Sequence, residues 1–180
     1  ITTTLGAMTG VGIWLSAALV SPASIGSLIR VFFWAWFTEW IVFVTEVVLI
    51  MIYFLTWKNS NKSIKAKVRH IRFGWFLSIF SWITMALIVA ILGFMMDPGN
   101  WNTNHNLVDA VLNPIYLPQL FFRTPTAMVV GGTYGLFLVT IFARKNPALR
   151  KRAIKSSAKW ILIWLPIALI ASIIYYRVMP

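Results

Sequence analysis

The 180-residue chain contains no cysteine. That excludes disulfides, cysteine-ligated zinc, iron–sulfur clusters and the C-x-x-C-H attachment of a c-type haem, so any cofactor is held without covalent sulfur chemistry. Acidic residues are nearly as scarce: Glu39, Glu46, Asp97 and Asp109 are the whole set, and charged residues make up only 11% of the chain. No phosphate-binding loop, metal box or nucleophile triad can be found. The first apolar stretch has no opening Met or basic segment before it, so it does not read as a signal peptide. The chain is expected to begin inside a longer protein or to follow further residues.

What fills the sequence is hydrocarbon. Hydrophobic residues reach 59%, and several charge-free runs approach or exceed the ~20 residues that cross a bilayer as helix. Spanning segments must satisfy their own backbone, and these runs are too long and too uniformly apolar for the alternating strands of a barrel. The expectation is an all-α integral membrane protein, a bundle of about five transmembrane helices forming one domain over residues 1–180. The spans are predicted at 4–20, ending in "SPASIG"; 30–57; 73–96, charge-free and ending in the turn-forming "DPGN"; 117–143; and 160–176.

The 16 Lys and Arg residues set the orientation. Six lie in "KNSNKSIKAKVRHIR" (58–72) and seven in "RKNPALRKRAIKSSAK" (144–159), the connections after the second and fourth spans, which fall on one face. The positive-inside rule makes that face cytoplasmic, and a bacterial inner membrane is the expected location. The connection 97–118 has no Lys or Arg, is rich in Asn and holds Asp97 and Asp109, as suits an external loop. A net charge of +12 is thereby explained as juxtamembrane charge that sets topology and attracts anionic lipid. Nucleic acid is not an expected partner.

Two acids then stand out inside the run "FFWAWFTEWIVFVTEVVLIMIYFLTW" (32–57). A charge at the bilayer centre costs about 2.5 to 3.5 kcal/mol on insertion scales, which makes Glu39 and Glu46 candidate functional residues in need of partners. Counting from the outer face at ~1.5 Å per residue, Glu39 lies roughly 12 Å deep and Glu46 roughly 22 Å. Seven residues apart, they share a helix face. Arg123, in "LPQLFFRTPTAMVVGG", comes out about 9 Å deep by the same rise. Its depth suggests an ion pair with Glu39, either as a structural lock between two helices or as part of a site.

Other features point to packing. Gly6 and Gly10 in "GAMTG", and Gly131, Gly132 and Gly135, have the small-residue spacing that lets helices approach closely. Trp57, Trp101 and Trp160 fall at predicted interfaces, as in an aromatic belt. His70 sits among bases and His105 in the external loop, so the two cannot pair across a haem.

The segments "GVGIWLSAALVSP", "FFWAWFTEWIVFVTEVVLIMIYFLTW" and "LNPIYLPQLFFRTPTAMVVGG" resemble successive parts of subunit I of cytochrome bd-type quinol oxidases. They are most similar to its divergent relatives, the oxidase-subunit-I-like membrane proteins associated with c-type cytochromes. The resemblance covers nearly the whole chain and implies that it corresponds to helices two to six of that subunit. A helix with a haem-ligating His would then precede Ile1, and a quinol-binding loop would follow Pro180. The family keeps two acids on its third helix, near the oxygen-reducing haem and its proton route. Glu46 matches the second of them, while Glu39 is displaced by one residue from the first. Arg123 stands where the oxidases have the His that ligates low-spin haem b. Arginine is permanently protonated and cannot ligate iron, so the resemblance implies that this haem b is lost.

Two functions follow. In one, the chain is a membrane subunit of a bd-oxidase-like respiratory complex that couples a quinone pool to extracytoplasmic cytochromes. Glu46 and Glu39 would then serve a proton relay or quinone site, Arg123 would be a buried charge at the former ligand position, and quinone or haem would be held with other subunits or further segments. In the other, it is a haemless scaffold that anchors redox partners. Lipid, other membrane subunits and c-type cytochromes are the expected partners in both, and catalysis by this chain alone is not expected.

Overall fold

A computed structural model describes residues 2–143 and 146–180; for residues 2–7 and Ile13 only the backbone is described. Among the described residues the chain is all-α, with eight helices: α1 (Thr2–Val20), α2 (Pro22–Val31), α3 (Phe33–Trp57), α4 (Ile64–Met96), α5 (Trp101–Asn104), α6 (Leu107–Val111), α7 (Tyr116–Phe142) and α8 (Pro147–Val178). Four of them, α3, α4, α8 and α7 (read together with α6), are long and apolar enough to cross a membrane. A fifth crossing results if α1 and α2, bent by 115° at their junction, count as one broken span. Pro22 produces that bend: it disfavours helical backbone at Ser21, which sits at φ −145°, ψ 77°, and is itself suited to the first turn of α2.

The second predicted span is divided. Helix α2 ends at Val31 and α3 begins at Phe33, because Phe32 turns inward at φ −100°, ψ 22° and is completely buried. Its ring packs edge-on against Phe94, with centroids 4.5 Å apart. Two other spans are longer than hydropathy suggested. Helix α4 starts nine residues before position 73, where the Ser63 hydroxyl accepts from the Ala66 amide at 3.1 Å. Helix α8 starts at Pro147, where the Asn146 side chain accepts from the Leu149 amide at 3.1 Å. Both extensions carry bases, so the helices outrun their apolar runs.

Packing follows chain order. Helix α3 packs against α4, α4 against α7, and α7 against α8, giving a row of antiparallel helices. The tightest approach is between α7 and α8: an added Cβ at Gly132 would lie 2.7 Å from Ile161 Cγ1, and one at Gly135 2.9 Å from Ser157 Oγ. Those two glycines do bring helices close, whereas Gly10 and Gly131 face open space. The side of Gly6 lies outside the described residues.

The best-buried core is at the Asn-rich end, where Leu28, Phe32, Ile91 and Ala110 come together under Trp14, Trp36, Phe94 and Trp101. Asn113 ties the loop to α4 there, its side-chain amide donating to the carbonyls of Ala90 and Ala110, each at 3.0 Å. The "DPGN" turn forms as expected. Gly99 takes a positive φ of 55° and donates to the Asp97 carboxylate at 2.9 Å, and any side chain at Gly99 would run into Pro114.

Candidate functional site

Glu46 lies in the seam between α3 and α4. Its Oε1 accepts a hydrogen bond of 2.7 Å from the Ser81 hydroxyl, and it remains part-exposed with no other partner among the described residues. The same seam continues seven residues on, where Tyr53 meets Gly74 and stacks on His70 with centroids 4.1 Å apart. Glu39, seven residues before Glu46, is on the same line of α3. Thr84, the next hydroxyl along α4 from Ser81, is committed to the Phe80 carbonyl at 3.0 Å.

Helix α4 also gives the relative depths. Its Ser81 bonds Glu46 of α3, and its next residue, Trp82, donates from Nε1 to Thr124 Oγ1 of α7 at 3.1 Å. Arg123 therefore lies nearer the level of Glu46 than of Glu39, between the two acids. The expected match in depth with Glu39 is off because counting from assumed entry points ignored the helix break at Phe32 and the offset between α3 and α7. The direct Glu39–Arg123 pair is not formed. Helix α4 stands between α3 and α7, and no ion pair occurs among the described residues.

At the basic end of the seam His70 is not a solvated residue among lysines. It is 7% exposed, stacked on Tyr53 and edge-on to Trp57 at 5.5 Å. Its Nδ1 is 2.9 Å from Thr56 Oγ1, and that hydroxyl already donates to the Ile52 carbonyl at 2.7 Å. Thr56 has a single hydrogen to give, so the direction of its bond with His70 Nδ1 follows from the tautomer of the ring. Nε2 is buried and has no partner. His105 is at the other end of the bundle, exposed at the end of α5 with φ 51°.

These residues offer no pair of haem ligands. Arg123 offers no lone pair to iron, and the two histidines are at opposite ends of α4's span. Among the described residues no three His, Asp or Glu side chains cluster as metal ligands would. A cleft of about 370 Å³ opens at the Asn-rich end between α2, the end of α4 and the loop after α4, lined by Leu28, Phe94, Trp101 and Asn102 among others, away from the acids.

Ser81 and the His70 cluster are what the sequence alone did not single out. An intramembrane acid needs a donor, and Ser78, Ser81 and Thr84 were the hydroxyls available in the neighbouring span; only the register of α3 against α4 selects Ser81. Comparison with family models, curated proteins and solved structures finds no match to this chain.

Proposed function

We propose that this chain is a membrane subunit of a bd-oxidase-like respiratory electron-transfer complex that couples a quinone pool to extracytoplasmic cytochromes. It lies in the inner membrane with its basic loops 58–72 and 144–159 cytoplasmic. The observation that carries the reading is Glu46: a carboxylate within a 25-residue apolar helix, held at one oxygen by Ser81 from the adjacent helix. A structural acid in lipid would be expected to be neutralised by a cation, whereas this one is oriented by a hydroxyl and keeps an oxygen available. Such a group can accept and release a proton during quinone chemistry in the complex, with Glu39 on the same line as a second station. The similarity of "FFWAWFTEWIVFVTEVVLIMIYFLTW" and "LNPIYLPQLFFRTPTAMVVGG" to the oxidase subunit supports the same assignment.

A second reading, a haemless scaffold for redox partners, draws on Arg123, which cannot replace a histidine at iron. Two measurements separate them. Glu46→Gln should lower turnover of the complex while leaving its assembly intact, and normal turnover would reduce Glu46 to a packing residue. The absorption spectrum of the purified complex, after subtraction of covalently bound haem, should show non-covalent haem or a redox-active quinone in the first case and neither in the second.

A further inference from the structure

The row of helices leaves much of the chain uncovered. Its accessible surface is 13024 Å², against about 8,900 Å² for a compact soluble chain of the same mass. Roughly 4,000 Å² of excess is about five times the ~800 Å² that each partner gives to an ordinary protein interface. Lipid can cover apolar surface but not charge. Glu39, Glu46 and Arg123 are all part-exposed, and the imbalance among them is specific. The α3 line carries two acids and no cation, α7 carries a cation and no acid, and α4 keeps them apart. Arg123 lies level with the interval between the acids.

We infer that two copies of this chain associate side by side in the membrane, each copy's Arg123 pairing with Glu39 of the other. A two-fold axis along the membrane normal preserves depth and brings residue i of one copy to residue j of its mate, and j to i, in the same contact. Each chain supplies both halves of the match, so two ion pairs form and no further partner is needed. The carboxylate of Glu39, which has no hydrogen-bond partner of its own among the described residues, is the acceptor, and Glu46 stays with Ser81. The inference uses only charge, level and exposed surface, and is independent of the redox reading.

The test uses the full-length protein in its native membrane, on a cysteine-free background, with two differently tagged copies. Glu39→Cys in one and Arg123→Cys in the other should be joined by a short bis-maleimide into a species carrying both tags. Glu39→Arg alone and Arg123→Glu alone should each lower co-purification of the tags by about tenfold, because like charges then meet. Expressing those two variants together should restore it, since each supplies the charge that the other lost. The inference is overturned if no species with both tags forms, if single reversals leave co-purification unchanged, or if each cysteine is captured only by a different polypeptide. The cysteine pair keeps the test decisive where a reversal variant does not insert.

Discussion

Thr56 has one hydroxyl hydrogen, and the Ile52 carbonyl takes it. With that hydrogen given to Ile52, the bond to His70 has to be donated by Nδ1, and this predicts the Nδ1–H tautomer for the ring. Selective ¹⁵N labelling should show the Nδ1–H tautomer; a signal from the Nε2–H form would mean that Thr56 has turned away from Ile52. The ring also has a packing role. His70→Phe keeps a flat ring on Tyr53 and gives up one neutral hydrogen bond, so it should lower unfolding stability by about 1 kcal/mol. His70→Ala loses the stack as well and should cost about 3 kcal/mol. Equal losses in a detergent unfolding titration would show that the stack contributes nothing. At Glu46 the corresponding change is Ser81→Ala, which should impair turnover in the same direction as Glu46→Gln and less severely, since Ser81 only orients the carboxylate.

Among the elements, the α7–α8 pair is held by absence of side chains. Gly132→Leu would drive new atoms into Ile161 and Trp160 and should destabilise the chain by roughly 1 to 3 kcal/mol. Gly131→Ala, into open space, should be neutral or slightly stabilising, because alanine favours helix by about 1 kcal/mol over glycine. If both substitutions behave alike in the same titration, close approach at Gly132 is not what holds the helices. Elements were legible in the sequence where hydrocarbon dictates them: the span predicted at 117–143 differs from α7, Tyr116–Phe142, by one residue at each end. They were not legible where the determinant is polar and local. Ser63 and Asn146 start α4 and α8 well outside the apolar runs, and hydropathy has no term for a capping oxygen. The break at Phe32 has no proline or glycine to announce it, since it comes from the burial of that ring under Phe94. Glu46 could be recognised as a candidate because an acid in lipid is costly wherever it sits; its partner Ser81 could not, because a partner is a matter of register between two helices.

For the molecule as a whole, the distribution of bases predicts which way it faces. Thirteen of the 16 Lys and Arg residues lie in residues 58–72 and 144–159, so a cysteine placed at Thr103 should be labelled by an impermeant maleimide from outside intact cells. One at Ser60 should be labelled only after permeabilisation. The opposite pattern would reverse the orientation and put the acids of α3 at other depths.

Helices α4 and α8 contain 33 and 32 residues, so each is a rod about 50 Å long, where ~30 Å suffices to cross the hydrocarbon. An unbroken helix of this length acts as a lever. Helix α4 has its fulcrum at the Asn-rich end, where Ala90 and Ile91 are clamped by Asn113 and the buried core, and its free arm carries Ser81, then His70, then the bases. Tilting it by about 5° about that clamp would move its far tip, about 39 Å away, by roughly 3 Å. At Ser81, about 14 Å from the clamp, the displacement would be roughly 1 Å, enough to stretch a hydrogen bond of 2.7 Å beyond its normal length. An event on one side of the membrane that rocks α4 would thus release the Glu46 carboxylate in the middle.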